Sequence, residues 1–270
     1  MTKTIFVTAS TDPLGAAVAR ALADADHTVY VGHRQVADAN DRVPGGPDTV
    51  IGVDTRGLRT VAYEAIDQRS VTAAVRRIEA EAGPVDVVVH SGAPITLGPT
   101  ESFTPYQLGQ LYDACVLSAQ RINRAVLPRM RERGDGLLIW TDPPTRPGPA
   151  PFLAPGHALR AALGQLAEAY AAELAPFGID VTIVTPGGTP AEFSGAAEPV
   201  RAADADTAAF YPVPAGTPER AGGHPASSAP AVEELAAAVA HLVAAPRGTR
   251  PVRVAVGDPG APEGAAPDGG

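Results

Sequence analysis

Short runs of β-branched residues alternate with longer alanine-rich stretches along most of this chain, and that rhythm constrains the fold more than any single motif. Residues 4–7 precede a helical stretch at 14–25, and residues 28–31 follow it. Residues 70–82 lead into 85–89, residues 106–133 into 136–140, residues 157–175 into 180–184, and residues 232–244 into 252–256. Strand and helix alternating in this way predict parallel βαβ units. The runs VDVVV at 85–89 and DVTIV at 180–184 are apolar on both faces, as central strands are when helices cover both sides of a sheet. The expected architecture is α/β: one doubly wound parallel sheet of seven mainly parallel strands over residues 1–258.

With 270 residues, 45% of them hydrophobic, the chain can bury one substantial core. Two regions break the rhythm. Residues 34–60 are polar and turn-rich, and residues 187–230 form a long Pro/Ala/Gly segment with apolar islands at Phe193 and at Phe210 with Tyr211. Long loops of this kind in compact domains usually serve a function, so 187–230 is the candidate substrate lid. Residues 259–270 are expected to be a flexible tail.

Charge and cysteine usage narrow the partners. A net charge of −9, from 21 Lys and Arg against 30 acids with no basic run, argues against nucleic acid and anionic lipid. The single cysteine, Cys115, forms no intramolecular disulfide and no cysteine-based metal site, and no metal site is expected. The N-terminus lacks an apolar run of signal-peptide length, and no stretch is long enough to span a bilayer. A reducing cytoplasm is the expected location, with a small molecule as substrate.

The first strand runs into Thr8-Ala-Ser10-Thr11-Asp-Pro-Leu14-Gly15 and then a helix. There a Rossmann-type fold turns tightly so that helix N-terminal N–H groups face a pyrophosphate. Ala9 and Pro13 stand where the first two glycines of the fingerprint belong, and Gly15 alone survives. The second strand ends Val29-Tyr-Val-Gly-His-Arg34, without an acid to bind a ribose 2′-hydroxyl. Arg34 suits a 2′-phosphate, which favours NADP over NAD.

The order of these features, with AYEAID ending at Asp67, His90-Ser91-Gly92-Ala93, RAVLPRMRERGDGLLIW at 124–140, the helix at 160–181, the Pro186-Gly187 turn and EELAAAVAHLVAAP at 233–246, resembles the short-chain dehydrogenase/reductase family from about residue 3 to 258. The resemblance implies that Asp67 lies on the adenine side, that Ser91 and Gly92 lie near the nicotinamide, and that Pro186 and Gly187 close the cofactor site. It also implies a general-acid Tyr, a Lys that lowers its pKa, a Ser that orients the substrate oxygen and an Asn in a proton relay. Aligned on the long helix, the Lys position falls on Arg160 and the Tyr position on Gly156. The Ser position falls on Asp142, or on Thr141 if shifted, and the Asn position on Cys115. No tyrosine lies between Tyr112 and Tyr170, so a small shift does not restore one.

Asp142, His157 and Arg160 are therefore the candidate catalytic residues. His157 is the one group beside the vacant Tyr position with a pKa suited to proton transfer near neutrality, and Asp142 follows a strand end where this fold places reacting groups. Cys115 reads as a small buried hydrophobe. The leading expectation is an atypical NADP-dependent reductase of a small-molecule carbonyl, its proton coming from Asp142, His157, water or an acidic hydroxyl on an aromatic polyketide-type substrate. The alternative is a non-catalytic relative that partners an active homologue. A lyase or cyclase using Asp142 and His157, or a halohydrin dehalogenase-like activity suggested by Arg160, stands behind both. The resemblance also implies association through the helices near 106–133 and 157–175, as a homo-oligomer or with a homologue.

Overall fold

A computed structural model of the chain describes residues 1–8, 13–35, 52–53, 58–91, 95–141, 151–186, 199–212 and 229–257. The strands are β1 (Thr4–Val7), β2 (Thr28–Gln35), β3 (Gly52–Val53), β4 (Arg59–Glu64), β5 (Val87–His90), β6 (Thr96–Leu97), β7 (Gly136–Thr141), β8 (Ile179–Pro186), β9 (Val200–Arg201) and β10 (Arg253–Val256). The helices are α1 (Pro13–Asp24), α2 (Gln68–Ala82), α3 (Pro105–Tyr112), α4 (Ser118–Arg133), α5 (Ala154–Leu174), α6 (Ala205–Ala208) and α7 (Ala229–Ala244). The main sheet has eight strands in the order β10-β8-β7-β5-β1-β2-β4-β3. Every neighbouring pair is parallel except β3 with β4, so seven strands form the expected parallel sheet.

The period-2 alternation of the strands separates two apolar layers. Phe6, Val88, Leu138 and Trp140 point to one face, where they pack with Val71, Val75 and Ile78 of α2, Ile122, Val126 and Met130 of α4, and Ala167 and Leu174 of α5. Ile5, Val7, Val87, Val89, Leu137 and Ile139 point to the other, against Leu14, Val18 and Leu22 of α1 and Leu235, Val239 and Leu242 of α7. Each such side chain contributes about 1.5–3 kcal/mol when fully buried, so both layers hold the sheet strongly. That is why these strands are apolar throughout.

Three features differ from the sequence reading. The polar stretch assigned to residues 34–60 ends inside a strand, β4, because its polar side chains are accommodated at the sheet margin. Val61 and Tyr63 are buried, while the Arg59 guanidinium stacks over the Tyr30 ring and donates to its hydroxyl at 2.8 Å. The helix expected across 106–133 is interrupted by a π-helical turn at Asp113–Leu117. Within the proposed lid, residues 199–212 are docked: β9 pairs with β6 in a separate two-stranded parallel sheet, and α6 follows it. The rest of 187–230, like the tail at 259–270, lies outside the described residues except for the start of α7.

Candidate active site

In a parallel sheet whose order reverses between β1 and β5, the C-terminal strand ends open a crevice at that switch point. Thr8, at the end of β1, is tied there three ways. Its N–H donates to the Val89 carbonyl at 3.0 Å, its hydroxyl accepts from the Ser91 N–H at 3.3 Å, and its carbonyl accepts from the buried Tyr63 hydroxyl at 2.7 Å. Gly32 makes this possible. A Cβ there would stand 2.7 Å from Tyr63 Cε1 and 3.0 Å from the Thr8 oxygen, so any side chain would push the tyrosine off the strand end.

These residues fit a dinucleotide. Leu14 and Gly15 are buried in the first turn of α1, which carries no acidic residue and leaves the positive end of its dipole to an anion. Arg34 lies within β2, the strand next to β1, in register with Tyr63 of β4. Asp67 is an exposed residue that caps α2, its Oδ1 accepting from the Arg69 N–H at 2.8 Å. One carboxylate oxygen is thereby committed to the helix. Pro186 ends β8. Ser10, Thr11, Gly92 and Gly187 lie outside the described residues.

On the other side of the crevice the structure separates residues that the sequence groups together. The His90 ring turns into the core, away from the strand end. It stacks on Trp140 with centroids 4.6 Å apart, and its Nε2 is 2.8 Å from the Asn123 Oδ1. With Asn123 held as the acceptor, His90 carries its proton on Nε2. Trp140 stacks in turn on Tyr170, whose hydroxyl donates to Gln120 Oε1 at 2.5 Å. Burial raises the Tyr170 pKa, with the carboxamides of Asn123 and Gln120 opposing the shift. Tyr170 stands fourteen residues beyond Gly156 on the same helix, a rise of roughly 21 Å, and cannot substitute for a tyrosine at the helix start.

At that start the positions converge. Gly156 is in the first turn of α5, and its N–H donates to the Thr96 hydroxyl at 2.7 Å. A Cβ on Gly156 would lie 2.9 Å from Thr96 Oγ1 and 3.4 Å from Arg160 Nη1, so Thr96 would have to shift for a larger residue, with Arg160 in van der Waals contact beside it. Arg160 is 3% exposed and His157 is half-buried beside it. Burial first, and then the Arg160 charge, lower the His157 pKa, so the imidazole is neutral at pH 7. Thr141, at the end of β7, donates its hydroxyl to the His90 carbonyl at 3.2 Å. Asp142, next in the chain, lies outside the described residues. Cys115 sits in the π-helical turn, buried and in no disulfide; such turns often mark functional sites. Sequence reasoning missed Thr96. Only its place in a two-residue strand sixty positions from Gly156 gives it a role, and no local pattern signals that contact.

Residues 3–201 match the short chain dehydrogenase family. Among solved structures, a short-chain dehydrogenase from Streptomyces avermitilis is 27% identical and covers 96% of this chain and 89% of its own, with a TM-score of 0.72. A metagenomic short-chain oxidoreductase in complex with NADP is 19% identical, covers 94% of this chain and 96% of its own at a TM-score of 0.66, and shares the fold. Among curated relatives, the ketoacyl reductase HetN of Nostoc is 25% identical over 187 residues, 68% of this chain. The match spans 63% of that relative's length.

Proposed function

The chain belongs to the short-chain dehydrogenase family, and from that premise we propose that it is an NADP-dependent oxidoreductase that reduces a small-molecule carbonyl without a tyrosine as its proton donor. The observation that carries this reading is the packed start of α5. Where the family resemblance sets a tyrosine, Gly156 is closed in by Thr96 and Arg160, while a titratable imidazole, His157, stands one residue on. When bound, the dinucleotide supplies the hydride that reaches the carbonyl carbon. Thr8, Leu14, Gly15 and Ser91 line its crevice, and Arg34 supports NADP over NAD as a partner for the 2′-phosphate. The proton that completes the alcohol comes to the carbonyl oxygen from His157, from Asp142 or from an acidic hydroxyl on the substrate, as on an aromatic polyketide-type molecule. Arg160 cannot give up a proton, but its fixed charge favours an oxyanion near the helix start.

A second reading, a non-catalytic partner subunit, draws support from α3 and the π-helical turn after it. Leu108 and Tyr112 of α3 and Leu117 of the turn expose apolar surface, and association with another copy or a homologue would cover it. Fluorescence titration with NADPH and NADH separates the readings. Saturable binding with NADPH tighter than NADH supports the oxidoreductase. Absence of binding to either removes it in favour of the inert partner.

A further inference from the structure

We propose that Thr96 is a positioning residue that fastens the strap at 199–203 to the first turn of α5 and so sets where His157 and Arg160 stand; this rests on the reading of those two side chains as the chemistry of the site. The argument begins at the helix start. A helix opens with N–H groups that its own N-cap side chain normally satisfies. The residue in that position here, Leu153, has no side chain able to do so. The Gly156 N–H is instead taken by Thr96, a buried residue sixty positions away. A second bond lies beside the first. The Gly98 N–H donates to the carbonyl of Phe152 at 2.9 Å, and Phe152 is held in the left-handed region at φ 67°. A non-glycine residue persists there only where its surroundings fix it, and this bond helps to do so.

The same short segment grips the strap. Thr96 pairs with Val200 and Leu97 with Arg201. The Val200 N–H reaches the Ile95 carbonyl at 2.8 Å, and the Ala202 N–H reaches that of Leu97 at 3.3 Å. Gln107 of α3 holds the strap from its other side, donating to the Arg201 carbonyl at 2.7 Å and accepting from the Ala203 N–H at 2.9 Å. Contact at Gly98 is equally close, since a Cβ there would stand 2.9 Å from that of Ala202. Strap, β6 and helix start are thus joined by consecutive hydrogen bonds within three residues of β6. A displacement of the strap by a substrate reaches the Gly156 N–H through Thr96.

The test reads the helix start directly by NMR, in the full chain without cofactor. Thr96→Val keeps the shape and removes the hydroxyl. It is expected to speed exchange of the Gly156 amide by roughly tenfold or more, the scale of a lost cap, and to move the His157 titration up toward the ordinary histidine range as the turn opens to water. Thr96→Ser, which retains the hydroxyl, is expected to restore both. Gln107→Ala, on the exposed side of the strap, is expected to move the Gly156 amide in the same direction by a smaller factor. It also keeps the proposal testable if Thr96→Val does not fold. Unchanged exchange in Thr96→Val, failure of Thr96→Ser to differ from it, or a Gly156 amide indifferent to Gln107→Ala would overturn the proposal. Turnover is measured separately. In an active enzyme Thr96→Val lowers kcat and leaves the Kd for NADPH unchanged, whereas a wild-type chain without turnover sinks the reductase reading and leaves the NMR result to decide the clamp.

Discussion

The two sides of the crevice are built on different principles. Around β1, β2 and β5 the site rests mainly on backbone: strand ends in register, the Thr8 carbonyl and N–H held by Tyr63 and Val89, and a helix start without acidic residues. Around β6, β7 and α5 it depends on which side chain occupies each position, and there Gly156, His157 and Arg160 stand together in the opening turns of one helix. Backbone sites tolerate substitution so long as the path of the chain survives. Side-chain chemistry has no such tolerance. One changed identity removes a proton.

The sharpest test of that contrast is at His157. If it is the donor, His157→Ala lowers the kcat for carbonyl reduction by roughly a hundredfold or more while leaving the Kd for NADPH unchanged. Its pH profile carries the sign. An acid with a lowered pKa is in its working, protonated form only at low pH, so reductase activity falls as pH rises through a midpoint below the ordinary histidine range. A substrate-assisted mechanism gives the other result: full activity in His157→Ala, and none with a substrate whose acidic hydroxyl is methylated.

The complementary change on the backbone side is Arg34→Ala. It should weaken NADPH binding by about 1–3 kcal/mol, the range for losing a charge-assisted contact to phosphate, with little effect on kcat. Equal affinity of the unmodified chain for NADPH and NADH would break the assignment. Beneath both sides, Asn123→Leu leaves the buried His90 Nε2 without its acceptor and should cost about 1–3 kcal/mol in urea unfolding. A smaller loss would mean that the bond to Asn123 contributes little to holding the ring.

The smallest effect expected is at His27. Its Nδ1 accepts from the Lys3 N–H at 3.3 Å, and burial, the Lys3 charge and the N-terminus lower its pKa. The unfolded chain then binds a proton more readily than the folded one. Stability from this group is present above about pH 6.5 and is lost as pH falls through the lowered folded value. Unfolding midpoints measured across that interval should decline less in His27→Gln.

Much of the fold was legible because buried strands and helices repeat their pattern over many residues. β1, β5, β7 and β8 announce themselves as apolar runs, and α5 as a long alanine-rich stretch. β4 was hidden because its polar residues are held at the sheet margin, Arg59 lying over Tyr30, so its alternation mimics a loop. His90 was legible as a strand-end residue and not as a core one. Its ring direction depends on Asn123 and Trp140, which lie far along the chain. The same holds for Thr96, whose role exists only once β6 meets α5. Sequence periodicity reports what a segment buries, and long-range polar contacts leave no period.

The contact at Gly156 limits which side chains its position admits. With the Thr96 hydroxyl 2.9 Å from where a Cβ on Gly156 would stand, a substitution to a bulky aromatic there meets an occupied space instead of a vacancy. Any larger side chain at that position first needs the Thr96 hydroxyl to move. The packing acts as a lock, and a change of side chain is admitted more readily at half-buried His157 than at Gly156.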